Sequence, residues 1–516
     1  MNTLLYDVLR PCSWPILAAI LFAGCQNQES GTGDHADSSP VSRYATLEGI
    51  WKCTRETALK FPNGTLEPVI LIGVGQQHEL TVRGCFLWDS HYYDEWALPE
   101  IHFDKTTRQL KLTDGNNSTY HGMVDRPLRK IRGVVYSGDP NSDVPEDSLD
   151  FIRADPALAG RLFFPRPPGL DGSMTCTYDQ PEQMKDGLPT APVFDFVADT
   201  SALIDFMASL IGQEYGRLES LLVCKDGKLV IEEYYYGYGP AQLHNIHSCT
   251  KSVTSLLLGI ALEHHQDIHI DQSIFSFFPA YDSLETGEKA KITLKHVLTM
   301  TSGFKEEENT EATEYRDKLQ YFLSRPMASH PGEQFRYSND DTDLLGYIIH
   351  SLEGQYVDEY AEENLFGPMG ITEYYWETEN GIPHCHSDLY LLPRDMAKIG
   401  LLVLFDGKWK DQQLVPKTWI DESTQPHVAE SIYYDYGYQW WHRSKENMAW
   451  WKEGNARLPT EHDKIIALGY GGQYIVIIRD LNMVIVITAS DYADGRTARS
   501  KIPMVIEEIV PLFAGS

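Results

Sequence analysis

Apolar and polar positions change period along this chain, and the changes divide it. Between about Tyr44 and Arg153, short runs alternate apolar with polar residues, as in Gln109-Leu110-Lys111-Leu112 and Ile131-Arg132-Gly133-Val134-Val135-Tyr136. A period of two is that of half-buried strands. Turn residues such as Asp114-Gly115-Asn116 separate the runs, so residues 44–155 are expected to form a small antiparallel β domain, either a barrel or a sandwich. Residues 156–192, rich in Pro and Gly (Phe164-Pro165-Arg166-Pro167-Pro168-Gly169), are expected to be a linker. Beyond it, the apolar run 221–232 is broken by Asp226-Gly227 and predicts a strand pair around a turn. A mostly helical section is expected from Thr250 to about Phe405. Strands return at 474–478 and 483–488, and a closing helix is expected near 501–513. Strands at both ends with helices between them predict an α/β domain with a helical subdomain over 193–516.

One helix start carries chemistry. His247-Ser248-Cys249-Thr250-Lys251-Ser252 runs directly into an apolar segment ending Leu256-Leu257-Leu258-Gly259-Ile260-Ala261-Leu262. Residues three apart share a helix face, which sets the Lys251 amine beside the Ser248 hydroxyl. A serine attacks only when an adjacent base takes its proton. A lysine is such a base when burial lowers its pKa from about 10.4 toward roughly 7–8. The apolar run supplies that burial. A second Ser-x-x-Lys, Ser302-Gly303-Phe304-Lys305, lacks it, because Gly303 disfavours helix and three glutamates follow.

Two further motifs fall in order behind the first. Tyr337-Ser338-Asn339 follows Pro331-Gly332-Glu333, and Gly469-Tyr470-Gly471-Gly472 opens the final strand pair. Glycines there let a substrate approach backbone N–H groups. With Ile292-Thr293-Leu294-Lys295-His296 and Tyr436-Gly437-Tyr438-Gln439-Trp440-Trp441, the series resembles the serine β-lactamase and penicillin-binding superfamily. The likeness is to its class C, esterase and 6-aminohexanoate-oligomer-hydrolase branch, over about 194–513. The resemblance implies a β-lactamase-like fold, an antiparallel sheet flanked by helices with a helical subdomain. It implies Ser248 as acylated nucleophile, Lys251 as base and Tyr337 as proton relay to the leaving group. Asn339 would bind substrate, and the N–H groups of Ser248 and Tyr470, the latter between Gly469 and Gly471, would form an oxyanion hole. Whether Lys251 or an ionised Tyr337 takes the first proton stays open. Where β-lactamases and D-Ala-D-Ala peptidases begin the third motif with Lys or His, Gly469 stands here. The missing cation favours an ester or unusual amide over a β-lactam, with Lys464 and His462 the nearby cations that could compensate. Two other readings are carried: a cell-wall D-amino-acid peptidase or β-lactamase, and a non-catalytic binding lipoprotein on the same fold. No cofactor and no metal are required.

The Tyr- and Trp-rich stretch 433–451 reads either as a substrate wall or as core. Glu263-His264-His265-Gln266-Asp267-Ile268-His269-Ile270-Asp271 and His384-Cys385-His386 look metal-like, but they read as a solvated helix exit and a loop. The formal net charge of −31 over 516 residues excludes a phosphate-backbone partner. At the N-terminus, an apolar run from Trp14 ends in Phe22-Ala23-Gly24-Cys25, which resembles a bacterial lipobox. It implies a signal peptide over 1–25, lipidation at Cys25, a tether over 26–43 and an exported protein held at a membrane, outer-membrane and facing the periplasm in a Gram-negative host. Oxidising surroundings permit a disulfide, for which Cys53 and Cys85 are the candidate pair.

Overall fold

The computed structural model describes residues 6–7, 47, 49–53, 69–74, 80–86, 100–113, 119–136, 145, 147–154, 175–176, 178–212, 215–305, 317–447, 451–452, 456–457, 461–491 and 502–514. Cys25 and the lipobox lie outside them.

The N-terminal part is one eight-stranded antiparallel sheet. Its strands are β1 (Gly49–Cys53), β2 (Val69–Val74), β3 (Leu80–Phe86), β4 (Glu100–Asp104), β5 (Gln109–Thr113), β6 (Thr119–Val124), β7 (Lys130–Tyr136) and β8 (Asp147–Arg153). Their order is β3-β2-β1-β8-β7-β6-β5-β4, and the sheet curls until its two edge strands lie against each other. The alternation read from sequence survives residue by residue: Leu110 and Leu112 point inward while Gln109 and Lys111 are exposed. Inside, Trp51 donates to Leu47 O (3.0 Å), and Tyr120 meets Phe151 edge-on at 5.5 Å.

Cys53 does not form the expected disulfide; its thiol is buried and free. The register explains why. Trp51 pairs with Ile70 and Ile70 with Cys85, so Cys85 sits two strands across and two residues along from Cys53. With strands about 4.8 Å apart, the Cα atoms are separated by roughly 10–12 Å, beyond the ~7 Å a disulfide spans.

The second part is built on another eight-stranded antiparallel sheet. It comprises β9 (Leu218–Lys225), β10 (Lys228–Tyr234), β14 (Val428–Ala429), β15 (Asp435–Tyr436), β16 (Trp441–Arg443), β17 (Lys464–Gly469), β18 (Gln473–Ile478) and β19 (Met483–Ala489), in the order β10-β9-β19-β18-β17-β16-β15-β14. Helices cover both faces, so its central strands read as unbroken apolar runs. On β19, Met483, Ile485 and Ile487 pack toward α1 (Thr200–Ile211) and α6 (Ile502–Phe513), which lie on one face. Val484 and Val486 point the other way. There they meet α2 (Cys249–His264), α4 (Asn339–Glu353) and α5 (Pro393–Leu404). Every residue of α2 from Cys249 to Ala261 is buried, which makes it the central helix of the fold.

A small sheet the sequence did not suggest joins β11 (His244–Asn245), just ahead of the helical section, to β13 (Leu389–Leu391) and β12 (Tyr374–Trp376) within it, in the order β11-β13-β12. Residues 178–192, read as linker from their Pro and Gly, are docked on this domain. Leu188 is fully buried, Thr190 bridges to Leu229, and Arg394 at the start of α5 grips both Asp186 (2.7 Å) and Glu182 O (2.7 Å).

Candidate active site

Ser248 occupies the N-cap of α2, with its side chain making no capping bond. The hydroxyl is therefore left to side-chain chemistry. His247 before it takes a left-handed φ of 45°, its amide N–H held by Asn245 Oδ1 at 2.8 Å. One turn on, Lys251 is 1 % exposed.

The Lys251 Nζ has three neighbours: Asn339 Oδ1 at 2.8 Å, His386 O at 2.9 Å and Ser248 Oγ at 3.3 Å. An ammonium would donate to all three. A neutral amine has two N–H groups for the two carbonyl oxygens, and its lone pair then faces the Ser248 hydroxyl. That is the arrangement of a proton acceptor. Burial lowers the Lys251 pKa to about 7, against the opposing pull of Asp343 and Asp388.

Tyr337 stands two residues ahead of α4. Ser338 caps that helix by accepting the Asp341 N–H (3.2 Å), which fixes Asn339 in its first turn and Tyr337 just outside. The Tyr337 phenol hydrogen-bonds Ser248, and its ring lies 4.9 Å from Lys251 Nζ. Burial pushes the phenol well above its ordinary value, so Tyr337 stays protonated near neutrality. Ser248, Lys251, Tyr337 and Asn339 thus share one cluster.

The glycine turn closes the other side. Gly469 ends β17 and Gly471 and Gly472 take φ of 77° and 95°, which favours glycine. A Cβ on Gly469 would lie 2.4 Å from Ile246 O, so this strand end runs against the segment leading into Ser248. The Cys249 thiol, its pKa raised by burial, donates to Gln473 O at 3.4 Å and ties α2 to the next strand. Tyr470 is 42 % exposed, its ring edge-on to His247 at 5.9 Å.

The two cations considered as compensation for Gly469 are committed elsewhere. Lys464 is buried at the far end of β17 with Glu507 (3.2 Å), and His462 pairs with Asp480 (2.5 Å). The aromatic stretch divides by position: Tyr436, Tyr438 and Trp440 are core, whereas half-buried Trp441 stacks on Tyr337 at 5.7 Å. Between them, buried Gln439 joins three helices by accepting from Ser252 (2.7 Å) and Thr342 (2.7 Å) and donating to Leu298 O (3.0 Å) of α3 (Leu294–Leu298).

Sequence reasoning missed a second layer. Asp343 on α4 takes both oxygens to His386 Nδ1 (2.9 Å each) and accepts the Cys385 N–H (3.0 Å). Burial alone would push its carboxyl up; the His386 charge and hydrogen bond overcome this and hold it low. Asp388 is treated alike by His384, Ser387 and Asn245. The signal was Asn339-x-x-x-Asp343, an i, i+4 pair on one helix face. His384-Cys385-His386 is this loop. His264 and His265 instead flank Glu353 at the exit of α2 (3.4 and 3.3 Å). No group of side chains able to hold a metal occurs among the described residues.

The family model described as Beta-lactamase matches residues 215–504. "Protein flp" of Staphylococcus aureus (strain COL) is 26 % identical over 168 residues, 30 % of this chain and 33 % of that protein. The Escherichia coli (strain K12) protein named "Putative D-alanyl-D-alanine carboxypeptidase" is 27 % identical over 183 residues, covering 30 % and 42 %. This chain spans about a third of the length of the first curated relatives it matches. A solved structure of a "putative beta-lactamase from Bacteroides dorei DSM 17855" superposes with a TM-score of 0.50 at 17 % identity, over 61 % of this chain and 99 % of that one, a likeness of fold.

Proposed function

The chain belongs to the Beta-lactamase family, and from that premise we propose that it is a serine hydrolase acting on an ester or amide through an acyl-enzyme at Ser248. The observation that carries the reading is the Lys251 amine, buried, with two carbonyl acceptors and its remaining direction toward Ser248 Oγ. Lys251 takes the serine proton as Oγ attacks the substrate carbonyl. The tetrahedral oxyanion is met by the N–H groups of Ser248 and Tyr470, and Tyr337 passes a proton to the departing oxygen or nitrogen. Water then attacks the acyl group by the reverse proton path, releasing acid and restoring Ser248. The raised phenol pKa of Tyr337 supports Lys251 as the first base.

With Gly469 in the cation position and Lys464 and His462 engaged elsewhere, the favoured substrate has no carboxylate beside the scissile bond. Trp441 and Tyr337 offer it an aromatic wall. Export and a lipid anchor at Cys25 complete the proposal and rest on residues 14–25 of the sequence. Incorporation of labelled palmitate, lost in Cys25→Ala, tests the anchor.

The catalytic reading is tested with p-nitrophenyl butyrate beside an ester carrying a free carboxylate and a chromogenic cephalosporin. Turnover of the neutral ester above both others, abolished in Ser248→Ala, supports it. Equal turnover by Ser248→Ala, or preference for the cephalosporin, contradicts it.

A further inference from the structure

Both partners that fix the Lys251 amine trace to one face of α4. Asn339 reaches Nζ directly at 2.8 Å. Four residues on, Asp343 does not touch Lys251. It holds the residue that does: its two oxygens lie 2.9 Å from His386 Nδ1, and Oδ1 also accepts the Cys385 N–H at 3.0 Å. The same peptide segment is held from α2, where Thr254 donates to Cys385 O at 2.8 Å. Between these two clamps the His386 carbonyl is aimed at Nζ, 2.9 Å away. Three residues apart on α2, Lys251 and Thr254 share a face, as do Asn339 and Asp343 on α4. Residues 385–386 are laced between the two helices.

We propose that Asp343, acting through His386, is the positioning residue of the Lys251 base. This rests on the reading of Lys251 as the base of Ser248. Asp343 does two separable things. Its hydrogen bonds fix the direction of the His386 carbonyl, and so the direction in which the amine lone pair points. Its negative charge favours the ammonium form, which prevents burial from lowering the lysine still further. An amine too weak as a base gains nothing from being neutral, since proton transfer is most effective when the base titrates near the working pH.

Other charged groups bear on the amine from each packed element. Asp388 lies on the loop, held low by His384 and Ser387 and by Asn245 of β11. Cys249 on α2 is buried and Tyr337 ahead of α4 is half-buried, and desolvation keeps both protonated. Facing Asp343 itself are His384 and His386, with Tyr347 on its own helix and Cys385 beside it. Of the carboxylates, Asp343 is the one that also fixes an atom touching Nζ.

The test uses the full chain, Asp343→Asn and Asp343→Ala, with wild type and Ser248→Ala in parallel. Two readouts are taken: kcat/KM for p-nitrophenyl butyrate against pH, and NMR titration of isotope-labelled lysine, with the Lys251 signal identified by its loss in Lys251→Met. Asn keeps an acceptor for His386 and removes the charge. It is expected to move the Lys251 midpoint to lower pH by about one unit in both readouts, with a modest loss of kcat. Ala removes the hydrogen bonds as well and is expected to lower kcat by about tenfold or more beyond Asn, with KM little changed. A Lys251 midpoint unmoved in Asp343→Asn, in a protein whose wild type turns over and whose Ser248→Ala does not, overturns the proposal alone. Activity retained in Ser248→Ala overturns it together with the reading beneath it. The NMR titration reports whether Asp343 governs Lys251 even where the chosen ester is a poor substrate.

Discussion

Lys251 and Lys464 are each 1 % exposed, and burial lowers the pKa of both. Their partners differ. Lys464 lies against the Glu507 carboxylate at 3.2 Å, which Arg443 also contacts at 3.2 Å. Lys251 touches only neutral oxygens, while Asp343 and Asp388 act from the next layer. A carboxylate in contact keeps a buried lysine a cation and makes it part of the scaffold. Carboxylates one residue removed leave it able to lose its proton. Burial is common to the two sites, and the distance to the countercharge separates structure from chemistry.

The sharpest break in that comparison is a pair of isosteric substitutions. Lys251→Met is expected to lower kcat by about 10²–10⁴ while the protein still folds cooperatively, read by steady-state kinetics and thermal unfolding. Lys464→Met is expected to do the reverse. It leaves Glu507 buried with Arg443 as remaining partner, costs about 1–3 kcal/mol of stability, and spares kcat/KM of the folded protein. Swapped outcomes would show that the lysine roles are misassigned.

Gly469→Ala sharpens the geometry around Ser248. Its Cβ would meet Ile246 O at 2.4 Å, forcing the Tyr470 turn away from the serine. A loss of about 10² in kcat is expected, the scale of a misplaced oxyanion donor, with the Lys251 midpoint unmoved. Trp441→Ala probes burial itself. Trp441 covers Tyr337, which covers Lys251. Opening that side to water is expected to raise the midpoint of the pH–rate profile and to raise KM by about three- to tenfold, the scale of one aromatic stack.

What could be read from the sequence was what is local. Ser248 and Lys251 lie on one helical turn, Tyr337 and Asn339 flank one cap, and the Gly469–Gly472 turn joins two adjacent strands; each motif's spacing is set by the backbone alone. The apolar runs of β18 and β19 and the alternation in β5 and β7 were legible for the same reason. Asp343 and His386 were not, because they meet across 43 residues and act through a main-chain carbonyl that any residue type could supply. Lys464 misled for the opposite reason: it is near Gly469 in sequence, but a strand puts its two ends far apart. Residues 178–192 carried linker composition, yet a buried arginine on α5 docks them. Cys53 and Cys85 share a sheet, and only the register shows that they cannot meet.

The central claim is that Lys251 is neutral when it takes the Ser248 proton. The direct test is the pH dependence of the single-turnover acylation rate with p-nitrophenyl butyrate, from pH 5 to 10 in about half-unit steps. With the neutral amine proposed as the active form, the rate should rise with pH through a midpoint near 7 and then level off, in line with the lowering that burial imposes on Lys251. The same midpoint should appear in Lys464→Met. A rate that is flat across this range, or that keeps climbing toward the ordinary lysine value, would contradict the account.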